Sequence, residues 1–164
     1  MEIGECFVGS GANAAHLNTV LGLRDGPVGQ AWTTALATPT AGHAPFVVVL
    51  QPGLPVVPFT LFVNKARIDG DDHARLTWGA AQAGVAAGVA DAVADAAMSS
   101  AMAASLVVIA AVWVDPQAHD AEMVFANNRE ATASALAQGR AGLPDAADVV
   151  AQRELAWNPF FGPA

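Results

Sequence analysis

The chain has 164 residues, seven basic and fifteen acidic side chains, a net charge of −8 and 54% hydrophobic residues. That length fits one domain spanning residues 1–164. The acidic balance and the absence of clustered Lys and Arg exclude nucleic acid and anionic membrane surfaces as expected partners, because phosphate binding needs such clusters.

Charged residues make up 13% of the chain, against about 25% in a typical globular protein. They are too few to cover a folded surface of roughly 7,600 Å². A large subunit interface, and hence a homo-oligomer, is therefore expected. Cys6 is the only cysteine, so no internal disulfide forms, and it reads as a small hydrophobe on the first strand. No basic segment followed by an apolar one opens the chain, so no secretory signal is expected.

In chain order, residues 2–8 alternate loosely and predict a strand, which Gly9-Ser10-Gly11 breaks before a second strand over residues 15–21. Gly26-Pro27 opens a helix that Pro39 and Gly42 stop. Residues 46–50 and 59–68 predict two strands paired across Pro52-Gly53-Leu54-Pro55. A long helix is predicted over residues 72–97, with Val85, Val89 and Val93 facing a sheet and Asp91 and Asp95 facing water. Gly79, Gly84 and Gly88 weaken that helix, so each is expected to serve a close approach by a neighbouring element or a flat ligand.

Residues 96–114 carry no charge and have the length of a membrane span. Asp95 and Asp115 bracket them without a nearby Lys or Arg, and the β-branched second half ending at Asp115-Pro116 predicts a buried central strand instead. A helix over residues 122–140 follows, and the tail ending Trp157-Asn158-Pro159-Phe160-Phe161 is apolar enough to dock on a neighbouring subunit. Strands first and mixed elements later indicate an α+β class.

None of the four histidines, His16, His43, His73 and His119, pairs with another ligand at zinc spacing, so no metal is expected. His16 follows a glycine-rich turn on a strand that aims it rigidly. Lys65 is the only lysine, set after an apolar strand beside Asn64; a partly buried amine there orients a ligand or forms a Schiff base. Gln82 shares a helix face with Val85 and Ala86, so its amide needs a partner.

Five segments taken together are specific. Gly4-Glu5, Val8-Gly9, Gly11 and Ala15-His16 resemble the opening of the formaldehyde-activating enzymes. So do residues 26–45 (GPVGQAWTTALATPTAGHAP), 54–68 (LPVVPFTLFVNKARI), 78–82 (WGAAQ) and 128–132 (NREAT), in that order and spacing. The resemblance covers residues 3–135 and loosens in the tail. It implies a two-layer fold like the second domain of ribosomal protein S5. It also implies a cytoplasmic, metal-free homopentamer with the ligand between subunits. Such a lyase condenses formaldehyde with tetrahydromethanopterin to methylene-tetrahydromethanopterin and water. The proton donor matches His16, and the pterin contacts match Asn18, Val47, Lys65, Arg67 and Gln82.

The sequence departs from that pattern where the family commonly has aspartate at the positions of Ser10 and Asn18 and threonine at that of Arg67. Two lost acids and one gained cation make the inferred pocket more positive. They leave open a catalytically weak pterin-binding or formaldehyde-sensing homologue, or a paralogue acting on another pterin, folate or amine.

Overall fold

The computed structural model describes residues 1–96, 98–158 and 161. Its main sheet has five strands. Strands β1 (Glu2–Val8) and β2 (Ala15–Leu23) form an antiparallel hairpin across Gly9 and a 3-10 turn at Gly11–Asn13. Gly9 sits at φ 84°, a conformation that suits a residue without Cβ. Helix α1 (Pro27–Ala37) starts with Gly26 as its cap and Pro27 in its first turn, as the sequence predicts.

Strand β3 is only Phe46–Val47. The predicted strand over 46–50 breaks there, because the Val49 N–H donates to Gln82 Oε1 at 2.7 Å and leaves the ladder. Strands β4 (Val49–Gln51) and β5 (Leu54–Pro55) then pair by themselves as a two-stranded ribbon. Strand β6 is Phe59–Asn64, shorter than the expected 59–68. The Asn64 amide donates to both Gly42 O and Ala66 O at 2.8 Å, which turns the chain out of the sheet.

The predicted helix over 72–97, of which residue 97 lies outside the described residues, is three helical pieces. Helix α2 (Gly70–Arg75) runs into a π-helical turn (Leu76–Ala81) and then into α3 (Gln82–Asp95). A short α4 (Ser100–Ser105), capped by the Ser99 hydroxyl, precedes β7 (Leu106–Trp113). The uncharged stretch thus divides between α4 and the central strand β7, and no helix among the described residues is long and apolar enough to cross a membrane. Helix α5 (Ala121–Ala141) and an exposed α6 (Ala146–Ala151) follow; the sequence reading did not foresee α4 or α6.

The sheet order is β1-β2-β7-β6-β3, antiparallel except for the parallel pair β7/β6. Helices α3 and α5 cover one face. Leu17 and Leu21 of β2, Val108, Ala110 and Val112 of β7, and Phe62 of β6 meet Val85 and Val89 of α3 and Val124 of α5 in one buried core. Each fully buried aliphatic side chain of this set contributes roughly 1.5–3 kcal/mol of transfer free energy. This is a mixed α+β architecture.

Asp91 does not simply face water. Arg129 of α5 holds it through Nε at 2.6 Å and Nη2 at 2.9 Å, which keeps its carboxyl below the usual carboxylate range. Gly84 and Gly88 serve a neighbouring element and not a ligand. A Cβ on Gly88 would stand 2.5 Å from Arg129 O, and one on Gly84 would press on Phe125 O, both backbone atoms of α5. Gly79 has open space around it, so close approach does not explain it.

Gly88→Ala should therefore destabilise the fold by about 1–3 kcal/mol, although alanine is favoured over glycine in a helix interior by about 1 kcal/mol. Thermal unfolding at one protein concentration reads the result; an unchanged or raised Tm would show that the two helices can separate freely.

Candidate functional site

The register of the hairpin decides which side chains meet. Glu5 pairs with Asn18 and Phe7 with His16 across β1/β2, while His16 pairs with Trp113 and Asn18 with Ala111 across β2/β7. Opposed residues share a face, so Glu5, Phe7, His16, Asn18 and Trp113 all stand on the face away from α3 and α5. Lys65 continues β6 on that face, and its own N–H still donates to Val112 O at 2.8 Å. Its Nζ reaches back across β7 and donates to Asn18 Oδ1 at 2.7 Å.

His16, Lys65, Phe7 and Trp113 line one cleft of about 640 Å³, together with Gly11 and Ala12 of the 3-10 turn, Asp115, and Asn158 of the tail. That size suits a small-molecule ligand. The turn is held by Asn13, whose Oδ1 accepts from the backbone N–H groups of His119 (3.0 Å) and Asp120 (3.1 Å).

Glu5 is the site residue that the sequence reading missed. Its Oε1 lies 3.0 Å from His16 Nε2, with the imidazole 40% exposed and the carboxylate 58% exposed. Only the pairing reveals it: Glu5 stands opposite Asn18, two residues along β2 from His16. The contact fixes the Nε2–H form of the ring and leaves Nδ1 without a hydrogen-bond partner among the described residues. Burial first, and then the charge of Lys65, hold His16 below the usual histidine value, while Glu5 pulls it up. Burial also lowers Lys65, against the opposing pull of Glu5.

The other predicted contacts lie elsewhere in the protomer. Val47 and Gln82 line a second depression of about 450 Å³ at the β3 edge, together with Phe46, Val49 and Trp78. Gln82 is buried, and its oxygen already accepts the Val49 N–H. The π-helical turn beside it carries Trp78, and such turns often mark functional positions. Arg67 is exposed at the end of the sheet, its side chain against Gly42. His16, Asn18 and Lys65 thus come together, Val47 and Gln82 come together, and Arg67 joins neither pair.

The remaining candidates are structural. His73 is buried, with Nε2 donating to Val114 O (3.0 Å) and Nδ1 accepting from the Asp69 N–H (3.0 Å). His43 Nδ1 donates to Asn64 O at 2.8 Å. Cys6 is half-buried, and burial pushes its thiol up, away from nucleophilic reactivity. An apolar cavity of about 290 Å³ between α3, α5 and the sheet carries only Asp95 and Arg140 as charged lining. Among the described residues no three His, Cys, Asp or Glu stand close enough to hold a metal ion.

The sequence matches the family "Formaldehyde-activating enzyme (Fae)" over residues 3–161. The chain belongs to that family. Among its relatives, the "5,6,7,8-tetrahydromethanopterin hydro-lyase" of Methanosarcina barkeri is 38% identical over 158 residues, which is 96% of this chain and 89% of that protein. The "Bifunctional enzyme Fae/Hps" of Methanococcoides burtonii is 38% identical over 162 residues, and that of Archaeoglobus fulgidus 35% over 161. The chain spans 41% of the length of each of these two bifunctional relatives.

The titration of His16, followed by its imidazole proton resonances, tests the electrostatics. Glu5→Gln removes the pull that favours the imidazolium, so the midpoint should fall further. Lys65→Met removes the opposing charge, so the midpoint should rise. No movement in either variant would mean that neither group senses the ring.

Proposed function

We propose that the protein is a hydro-lyase that condenses formaldehyde with tetrahydromethanopterin to methylene-tetrahydromethanopterin and water, with His16 as the general acid. The observation that carries this reading is a ligand-sized cleft lined by His16 and Lys65, with Glu5 held on His16 and Asn18 on Lys65. Family membership supports it, and so does the name of the Methanosarcina barkeri relative.

The chemistry needs one well-placed proton. A pterin amine adds to formaldehyde without help and gives a carbinolamine, whose hydroxide is a poor leaving group. Protonation of that hydroxyl lets water depart and leaves an iminium, which the second pterin nitrogen closes into a ring. As the imidazolium, His16 donates Nε2–H to Glu5 and offers its Nδ1–H to the hydroxyl. A ring held below the usual histidine value is less often protonated at neutral pH but is a stronger acid when it is, and the product of the two factors sets the rate. Phe7 and Trp113 give a flat ring an apolar wall.

Val47 lies on β3 and His16 on β2, with β7 and β6 between them, a separation of roughly 14 Å at ordinary strand spacing. A ligand lodged between two chains would draw His16, Asn18 and Lys65 from one and Val47 and Gln82 from the next. Arg67 then meets the ligand's charged end from its exposed position. Exposed Ile3, Leu23, Val149, Leu155 and Trp157 supply apolar surface for such an assembly. The wider reading is a metal-free, cytoplasmic homopentamer of single-domain chains with the layered fold of the second domain of ribosomal protein S5.

The tail contributes in two ways on this reading. Asn158 lines the cleft of its own chain, and the apolar side chains of α6 dock on the neighbour. Pro159 and Phe160, also expected to dock, lie outside the described residues.

Asn18 favours a second reading, a pterin-binding homologue of weak turnover or one acting on another pterin, folate or amine. Its amide is already bound by Lys65 and carries no charge with which to hold an imidazolium or an amino-pyrimidine edge.

Stopped-flow mixing of formaldehyde and tetrahydromethanopterin, with the uncatalysed condensation as baseline, separates the two. The protein should accelerate the reaction, and His16→Ala should lose about 10²–10⁴-fold while retaining pterin affinity. Binding without acceleration would establish the second reading. Light scattering should give five chains per particle, and a clean monomer would undo the shared cleft.

A further inference from the structure

Lys65 is the only lysine in the chain, and the fold does not spend it on an ordinary surface charge. The side chain is half withdrawn from water, and its Nζ has a neutral amide oxygen, Asn18 Oδ1, as its hydrogen-bond partner at 2.7 Å. Among the described residues no carboxylate oxygen lies within ion-pair distance of it.

The charged and titratable groups around it are few. Glu5 comes from β1, His16 from β2, and Asp115 lines the cleft after β7. Glu5 is turned to His16 at 3.0 Å. A neutral amide supports an ammonium less than a carboxylate would. Burial, the larger influence on Lys65, lowers it from the ordinary lysine value and leaves more of the amine unprotonated at neutral pH. A half-buried amine and an imidazole thus line one cleft.

Resting on the reading of formaldehyde as the carbonyl substrate, we infer that Lys65 is a covalent capture site, holding formaldehyde on Nζ as a methylene iminium before an acceptor amine takes it. The Nζ lone pair forms a C–N bond to the formaldehyde carbon, and the carbonyl oxygen gains the proton that Nζ releases, giving a hydroxymethyl amine. The His16 imidazolium then protonates that hydroxyl. The C–O bond breaks with its electron pair, water leaves, and the Nζ lone pair closes the C=N bond. The acceptor amine adds to the same carbon, its proton passes to Nζ, and the C–Nζ bond breaks to return free lysine. No oxidant or reductant enters.

This assignment gives Asn18 a purpose. A carboxylate at that position would hold Lys65 as an ammonium and silence it, whereas the amide positions the amine and leaves it reactive. Capture on the protein would also draw formaldehyde from solution before any acceptor arrives.

The test uses the intact protein, labelled formaldehyde and excess cyanoborohydride at neutral pH, without pterin, so that iminium formation sets the rate of methylation. Because Lys65 is the single side-chain amine, peptide mass spectrometry reads it without ambiguity. Folded protein should be methylated at Lys65 on the order of 10²-fold faster than a free peptide of the same residues in the same buffer. His16→Ala should forfeit most of that gain, and Asn18→Asp should suppress it while circular dichroism shows both variants folded. Equal rates in folded protein and free peptide, or undiminished labelling in Asn18→Asp, would overturn the assignment. Condensation with tetrahydromethanopterin, measured separately, keeps the two ideas apart. Turnover without trapping leaves the lyase and removes the capture site, and trapping without turnover does the reverse.

Discussion

The pairing of β2 with β7 organises the molecule. Its register runs from His16 opposite Trp113 to Leu23 opposite Leu106, and it divides each strand between two environments. Leu17, Leu21, Val108, Ala110 and Val112 go beneath the helices and form the core. His16, Asn18, Ala111 and Trp113 go to the other side, where His16 and Trp113 line the cleft. A slip of one residue would exchange the two sets and lose both at once. Stability and chemistry therefore share one constraint, and the hydrophobic demand of the core fixes the geometry of the polar face.

Electrostatic compensation follows from that face. Reading the departures at Ser10, Asn18 and Arg67 as a positive shift of the pocket leaves out Glu5, which the hairpin delivers to His16. Arg67 lies by Gly42, away from the cleft lining. The polar set is thus closer to balance than the substitutions alone indicate, with one carboxylate and one amine acting in opposite directions on a single imidazole. Such opposition lets small changes in either partner move the acid strength of the ring.

Much of this was legible in the chain. Alternation and glycine punctuation located β1, β2, α1, β7 and α5 because those elements are long and strongly patterned. His16, Asn18 and Lys65 were found because their oddity is local: a histidine after a glycine turn, and a lone lysine. Val49 to Gln51 was not legible, because its departure from the sheet depends on Gln82, 33 residues ahead, accepting its neighbourhood's N–H. Glu5 was missed because its role arises only when two strands are laid side by side, and a single strand carries no register. The π-helical turn at Leu76–Ala81 looked like ordinary helix, since hydrophobic periodicity barely registers one added residue. Asp91 seemed solvent-facing because its partner, Arg129, sits on another helix.

Ala111 is a quiet part of this arrangement. It stands between Asn18 and Val63 on the open face, on the strand over which Lys65 must reach to meet its amide partner. A methyl group leaves that crossing clear; a valine or leucine there would satisfy the strand's preference for bulk while blocking the long side chain behind it. The size of the side chain at this position is thus bounded from above by the passage of a neighbour, and a residue outside the cleft lining governs one that belongs to it.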